Sequence, residues 1–250
     1  MAKVTTFVEI IKAEFPDDRL TWQKAIPTFH PESAEEAAKL VRLANKHRQS
    51  LYITGFGNNI DPAGRPFEEM VALRTDRQNE LLVVEAEDFY VTAGAGYPLK
   101  EMNLHLHDEG LYMPHADLPY VGSLGGAVSV NLTGEVNGYE LPLKKYLIQA
   151  KVVTPEGEII KPGSICFKSV SGYDIVKIFA PSWGLLGLLV ELSFRVLPLS
   201  AAGEYADMVM QEIDRGSFIH ALDESNDDVD ALYSRKIKRK FDPENILPIV

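Results

Sequence analysis

The sequence predicts an α+β fold, in which an α/β first half is followed by a strand-rich second half and a closing helix. In the first half, apolar residues recur at helical spacing over residues 37–44. In the second half, Ile148, Ala150 and Val152 alternate with polar residues, as they do in a strand. A last helical stretch covers residues 229–241 and completes the pattern.

Two helices are predicted near the start of the chain. The first is amphipathic, spans residues 7–15 and ends near Pro16. The second begins after Ser33, which suits an N-cap, and Glu36 three residues later completes a capping box. Its apolar residues are expected to face a core.

Short strands follow these helices. A strand at residues 51–53 runs directly into a glycine-rich turn, and two further strands are expected at 81–85 and 89–93. A helix at 99–108 then ends at Gly110, a residue that readily takes the left-handed conformation found after helices. We expect this α/β half to meet the strand-rich half near residues 114–126.

The second half is predicted to be built from a hairpin and a long strand. Residues 155–157, Pro-Glu-Gly, turn the chain between a strand at 148–152 and a return strand at 158–160. Another strand covers 188–197. The stretch 204–224 fits either one helix or two short pieces.

The end of the chain combines a linker with a helix. Residues 223–228 are polar, acidic and turn-prone, which indicates a linker. The last helix ends at Asp242 and Pro243. Its basic stretch, residues 235–240, is either the solvated face of that helix or a docking surface for an acidic partner.

Composition limits the class of protein. The chain has 250 residues, of which 46% are hydrophobic and 24% charged, enough for one large domain or two small ones that share a face. The net charge of −11 argues against nucleic acid as a partner. We find no apolar run of the roughly 20 residues needed to span a bilayer, and no secretory signal. A single cysteine, Cys166, suits a buried position and a reducing, cytoplasmic setting.

Glycine-rich segments carry the functional signal. The first is Thr54-Gly55-Phe56-Gly57-Asn58-Asn59, directly after a strand. Such a turn lets backbone N–H groups converge on a phosphate, although many Gly-x-Gly pairs are plain turns. It is not a Rossmann fingerprint, because a third glycine and an immediate helical repeat are lacking.

A second segment holds Gly122, Ser123, Gly125 and Gly126, and continues through Ser129 to Gly134. Its density of glycine fits either a backbone wrapped around a ligand or a glycine-rich crossover between domains. The third segment places Lys168, Gly172, Tyr173 and Asp174 ahead of Gly184, Gly187, Leu189 and Glu191.

In this order and at these distances, the segments resemble the PCMH-type FAD-binding superfamily, in its FAD-linked oxidase branch of glycolate oxidases and D-lactate dehydrogenases. The resemblance covers about residues 26–198. It implies two α/β subdomains with FAD between them, and two-electron chemistry performed by the flavin. The cofactor-binding residues that it implies are Thr54, Gly55, Phe56, Gly57, Asn58, Asn59, Gly122, Ser123, Gly125, Gly126, Ser129, Gly184, Gly187 and Leu189.

Two further residues, His115 and Asp117, precede the second glycine segment, where the family runs close to the flavin. They are either flavin contacts or a loop pair at the domain join. Some members of the family bind FAD covalently through a histidine beside the first glycine loop, which here has none, so we expect non-covalent FAD. Residues 180–183, Ala-Pro-Ser-Trp, depart from the family's usual glycine-containing sequence. No histidine or cysteine spacing indicates a metal site.

The largest departure concerns the family's cap domain, which supplies residues over the flavin. Only residues 199–231 stand in its place. We therefore expect an FAD-binding domain at 1–198, with subdomains at about 1–114 and 115–198, then a short linker at 199–231 and a C-terminal helix and tail at 232–250.

The sequence assigns no catalytic residue, and three hypotheses remain open. The chain is the FAD-binding subunit of a 2-hydroxy-acid dehydrogenase-like complex in which a partner completes the substrate site or accepts electrons. Alternatively, it is an FAD-binding electron-transfer or regulatory module without substrate chemistry. A relationship to the UDP-acetylenolpyruvoylglucosamine reductases is a third option, against which the Lys-x-x-x-Gly-Tyr-Asp motif argues.

Overall fold

The computed structural model describes residues 2–58, 65–165 and 175–249. Asn59 of the first glycine segment, Cys166, and the four motif residues Lys168, Gly172, Tyr173 and Asp174 lie outside the described residues.

The described part of the chain contains the following helices and strands. The helices are α1 (Ala2–Glu14), α2 (Ala34–His47), α3 (Met102–Leu106), α4 (Leu124–Ser129), α5 (Arg215–His220) and α6 (Val229–Phe241). The strands are β1 (Leu20–Gln23), β2 (Ile26–Phe29), β3 (Leu51–Thr54), β4 (Val71–Arg74), β5 (Leu81–Glu85), β6 (Tyr90–Gly94), β7 (Leu111–Tyr112), β8 (Thr133–Val136), β9 (Tyr139–Pro142), β10 (Leu147–Val153), β11 (Ile159–Ile160), β12 (Leu188–Arg195), β13 (Leu197–Pro198) and β14 (Val209–Met210).

The first sheet has the order β1-β2-β4-β3, in which β4 runs parallel to both of its neighbours and β1 is an antiparallel edge. Both α1 and α2 pack on this sheet and bury Phe7, Ile11 and Leu40 against Leu51 and Leu73. The chain up to Arg74 is therefore α/β, as its sequence pattern predicts.

The start of α2 follows the predicted cap only in part. Ser33 accepts a hydrogen bond from the backbone N–H of Glu36 at 3.1 Å, as an N-cap does. The carboxylate of Glu36, however, accepts from the backbone of Glu32 at 2.9 Å and also binds Arg19. In a capping box the Glu36 carboxylate would accept from the backbone N–H of Ser33; here it accepts from the backbone N–H of Glu32 instead.

The second sheet is antiparallel, with the order β11-β10-β12-β6-β5. One of its faces carries the larger core, where β6, β10 and β12 pack against α3 and α4. The predicted hairpin is present, since Val152 of β10 lies opposite Ile160 of β11. Two short sheets, β14-β8-β9 and β13-β7, complete the fold.

The chain passes from the first sheet to the second between Arg74 and Leu81, well before the join near residues 114–126 that the sequence predicts. The reason is that α3 buries Met102 and Leu106 in the core of the second sheet. A helix placed between strands gives an α/β pattern in the sequence whichever sheet it covers. The subdomain limits stay a prediction, and the sheets favour placing the boundary at 75–80.

The predicted linker region makes long-range contacts. A 3-10 turn at Leu199–Tyr205 is followed by β14, which pairs with β8, and then by α5, which Asp214 caps. Of the two alternatives for 204–224, the structure has short pieces rather than one long helix.

The last helix begins and ends where the sequence predicts, but its basic stretch turns partly inward. Arg235 is buried and donates to the backbone of Asp223, and Lys238 is buried and donates to the Asp242 carboxylate and to the carbonyl of Leu247. Burial lowers the pKa of Lys238. The solvated-face interpretation is therefore wrong for Arg235 and Lys238.

This C-terminal segment joins the two cores. Ile237 and Phe241 of α6 pack against the second sheet's core, whereas Ile246 and Leu247 lie in the first. The carbonyl of Ile246 also accepts from Leu51 at 2.8 Å, at the start of β3. Of the helices in the described ranges, none is long and apolar enough to cross a membrane.

Candidate functional site

An open groove lies between the two sheets, where the ends of three separate chain segments meet. Its walls come from the end of β3 and the loop after it, from α4 and the loop before it, and from the turn that leads into β12. The described residues that line it are Tyr52, Ile53, Thr54, Gly55, Phe56, Gly57, Asn58, Thr75, Tyr120, Gly122, Ser123, Gly125, Gly126, Ser129, Val130, Trp183, Gly184, Gly187 and Leu189.

The first glycine loop packs directly on the second glycine segment. A Cβ added to Gly55 would overlap the Oγ of Ser123, so a larger residue fits there only if Ser123 moves. Asn58 donates its side-chain amide to the carbonyl of Val121. Two segments more than 60 residues apart in sequence therefore form one wall.

The second segment opens α4. Ser123 is the N-cap of this short helix, and its Oγ accepts from the N–H of Gly126 at 3.1 Å. The N–H of Gly125 donates to the carbonyl of Ala95 at 2.7 Å, which anchors the helix to the end of β6. Backbone atoms at the start of α4 consequently lie at the groove without side chains to cover them.

The turn before β12 supplies the third wall. The N–H groups of Ser182 and Trp183 both donate to the carbonyl of Ser129, each at 3.0 Å. Gly184 and Gly187 have φ values of +78° and +142°, a region that L side chains rarely adopt. These contacts bring the predicted Ser129, Gly184 and Gly187, with Leu189, to the same groove.

His115 does not reach the groove. Its side chain is completely buried, and Nε2 lies 2.7 Å from the carbonyl of Leu141, which assigns the hydrogen to this nitrogen. Burial lowers the pKa of His115 to about 4, so the ring is neutral at neutral pH.

Asp117 likewise has a role in the packing. It accepts hydrogen bonds from Asn103 and from the hydroxyl of Tyr112, both at 2.8 Å. Neither His115 nor Asp117 lines the groove. The structure thus favours the loop-pair interpretation over flavin contact for both residues.

Several residues of the groove were not singled out from the sequence as cofactor-binding residues. They are Tyr52, Ile53, Thr75, Tyr120, Val130 and Trp183. Thr75 reaches the groove because β4 lies beside β3: its N–H donates to the carbonyl of Thr54 at 3.2 Å, at the ends of these two parallel strands. Parallel strands bring their carboxyl ends together, but the sequence does not say which strands are neighbours.

The groove is uncharged along its described lining, which contains no Asp, Glu, Lys, Arg or His side chain. A bound phosphate would therefore be held by backbone N–H groups and by the hydroxyl and amide side chains. In the described part of the chain, no cluster of three or more His, Cys, Asp or Glu residues could hold a metal ion.

These features fit a dinucleotide. Three separate segments of the chain form the walls of the groove, and at Gly55 the loop packs so closely on Ser123 that a Cβ would overlap it. Glycine-rich backbone suits the diphosphate, while the apolar and aromatic residues of the lining suit planar rings.

Known proteins are similar to this chain in sequence and in fold. The FAD binding domain family matches residues 27–163, more than half of the chain. Glycolate oxidase subunit GlcD from Bacillus subtilis is 26% identical over 170 residues, which are 67% of this chain and 36% of that protein. The D-lactate dehydrogenase of Archaeoglobus fulgidus is 26% identical over 168 residues, 67% of this chain and 38% of that one.

A D-2-hydroxyglutarate dehydrogenase from Xanthomonas citri pv. viticola is 30% identical over 169 residues, 66% of this chain and 35% of its own. Among solved structures, an alkyldihydroxyacetonephosphate synthase superposes with a TM-score of 0.63 at 21% identity, covering 78% of this chain and 40% of that one, which shows a shared fold. The chain spans well under half the length of the curated relatives it matches. The chain belongs to the FAD binding domain family, in its PCMH-type, FAD-linked oxidase branch, and its cofactor is FAD.

Proposed function

We propose that this chain is the FAD-binding part of a flavin-dependent oxidoreductase that oxidises a small 2-hydroxy acid. The observation that carries the proposal is the groove in which the loop at Gly55 packs on the Ser123 N-cap. The names of three relatives, a glycolate oxidase subunit, a D-lactate dehydrogenase and a D-2-hydroxyglutarate dehydrogenase, support this substrate class.

Different residues of the groove would bind different parts of FAD. The backbone N–H groups of residues 54–58 would bind the diphosphate, and the side chains of Thr54 and Asn58 would add neutral donors. The start of α4 would form the facing wall, because its N–H groups at Leu124, Gly125 and Gly126 already donate within the protein. Attachment is non-covalent in this proposal, since the described lining offers no histidine. Bound FAD would supply the acceptor for a two-electron oxidation, which is chemistry of the cofactor rather than of the protein.

The described lining of the groove offers no charged or histidine base for the substrate. Oxidation of a 2-hydroxy acid requires a group that takes the hydroxyl proton, a role usually filled by His, Glu, Asp or Lys. The described lining of the groove contains none of these residue types. We therefore assign this group to a partner polypeptide, in keeping with the word subunit in the name of the glycolate oxidase relative.

The uncharged lining also favours a second candidate function. A chain that binds FAD only for electron transfer, assembly or regulation needs no acid–base side chain beside the flavin. The two candidates differ in whether any 2-hydroxy acid reduces the bound flavin.

The experiment is purification, identification of the released flavin, and anaerobic mixing with glycolate, D-lactate and D-2-hydroxyglutarate. We expect a yellow protein that releases FAD and whose flavin stays oxidised until a partner is added. Rapid bleaching of the isolated chain would contradict the need for a partner. A colourless protein that takes up no FAD would refute the cofactor assignment, and bleaching by NADPH alone would support the reductase option.

A further inference from the structure

Trp183 is an unusual residue in the wall of the groove. It lies in the segment that departs from the family's sequence pattern, and it is one of only two tryptophans in the chain. The residue lines the groove and is half-buried. The mechanism proposed above gives this residue no role.

The backbone at Trp183 is held in an unfavourable conformation. Its φ is +49°, in the left-handed region, which costs a bulky residue about 1–2 kcal/mol. The two hydrogen bonds from Ser182 and Trp183 to the carbonyl of Ser129 fix this conformation against α4. Unfavourable backbone conformations that the surrounding structure maintains are common at ligand sites, which indicates a functional role for Trp183.

Two residues of α5 contact the indole of Trp183. Phe218 packs against it with ring centroids 6.2 Å apart, and the guanidinium carbon of Arg215 lies 6.0 Å from the ring centroid. Both residues belong to the stretch that the sequence assigns to a linker. The ring is consequently oriented before any ligand arrives, so little side-chain freedom would be lost on binding.

The groove around the indole is suited to a planar ring. Its described lining is uncharged and includes the aromatic residues Tyr52, Phe56 and Tyr120 in addition to Trp183. FAD carries two planar ring systems, adenine and isoalloxazine. Stacking on an aromatic side chain is favourable for either ring, because each presents a π-face.

We infer that Trp183 contacts the cofactor, with its indole stacked on one of the two planar rings of bound FAD, and that α5 positions it there. This inference rests on the FAD assignment, and it makes Trp183 a determinant of cofactor affinity. The stretch after β14 would then form part of the cofactor site.

The test compares FAD affinities by titration calorimetry in three variants. Trp183→Gly removes the ring but suits the positive φ, Trp183→Leu keeps an apolar side chain, and Trp22→Phe is the control. Trp22 is 59% exposed on β1 and does not line the groove. We expect both Trp183 variants to bind FAD about 5-fold to 100-fold more weakly and the control to bind it unchanged.

Titrations of the Trp183 variants with ADP and with FMN, which are fragments of FAD, identify the ring that stacks on Trp183. A loss of affinity confined to ADP assigns the stacked ring to adenine, and a loss confined to FMN assigns it to isoalloxazine. In the Trp22→Phe protein Trp183 is the only indole left, so its quenching by acrylamide reports contact directly, even if no Trp183 variant folds. Saturating FAD should protect this indole from acrylamide.

The outcomes are distinguishable. If the Trp183 variants bind FAD as tightly as the control, or if FAD leaves the acrylamide quenching unchanged, the stacking inference is overturned while the FAD assignment stands. If the control and the unaltered protein bind no FAD at all, the cofactor assignment itself fails, and the inference fails with it.

Discussion

The contact between Gly55 and Ser123 predicts a specific coupling between two substitutions. In Gly55→Ala, the new Cβ would overlap the Ser123 Oγ, which is the N-cap acceptor for Gly126. Ser123 must then move and give up this bond, a loss of about 1 kcal/mol. Crowding in a closely packed site adds about 1 kcal/mol more, so we expect a loss of about 2 kcal/mol in the free energy of unfolding.

Removing the obstructing atom should relieve most of this penalty. Ser123→Ala deletes the Oγ and alone costs about 1 kcal/mol, since the N-cap is lost. The Cβ of residue 123 lies 3.4 Å from the added Cβ, an ordinary contact. The double variant should therefore lose only about 1 kcal/mol rather than the additive 3 kcal/mol, a coupling of about 2 kcal/mol.

Urea unfolding followed by circular dichroism measures these energies, and calorimetry measures FAD affinity in parallel. The matched control is Gly203→Ala, at a site where a Cβ would meet no atom within 4 Å. Strictly additive losses, or a Gly55→Ala variant that behaves like the control in both assays, would refute the packing of the two glycine segments.

Three further predictions test other parts of the structure. Gly57 and Gly138 both have φ of +79°, so alanine at either should cost a similar stability of about 1 kcal/mol, but only Gly57→Ala should weaken FAD binding, as calorimetry will show. The pKa of His115 is about 4 when folded and about 6.5 when unfolded, so the unfolded chain gains the proton first and stability should fall by up to about 3 kcal/mol as the pH drops from 7 to 4. Urea unfolding of the unaltered protein and of His115→Gln at each pH measures the contribution of His115 to this loss of stability. An equal pH dependence in the two proteins would contradict the prediction. Lys238→Met leaves the buried Asp242 without its cation and should cost about 3 kcal/mol, whereas the exposed Lys240→Met should change the unfolding energy by less than about 0.5 kcal/mol.

Much of the local structure follows from the sequence. The limits of α6, the hairpin of β10 and β11, and the Ser33 N-cap all match the predicted pattern, since each depends on residues only a few positions apart. The carboxylate of Glu36 is the exception, because Arg19 competes for it. Arg19 lies on a different element, which no local pattern takes into account.

The residues that line the groove could be predicted only where a motif contains them. Gly55, Gly126 and Gly187 line the groove as expected, because their role depends on backbone conformation and close approach. His115 and Asp117 lie near these motifs in sequence, but His115 is buried in the core and Asp117 accepts hydrogen bonds from Asn103 and Tyr112 away from the groove. A sequence position next to a motif does not specify the direction in which a side chain points.

The sequence by itself determined the periodicity of the elements and the glycine segments that leave backbone free to approach a ligand. Only the tertiary structure decided that Gly55 touches Ser123, that the turn at Trp183 is held by Ser129, and that Lys238 turns inward to Leu247. Local propensities act over a few residues, whereas burial and long-range contacts depend on the path of the whole chain. That path is fixed by the packing of the two cores, which bring distant segments together around the groove.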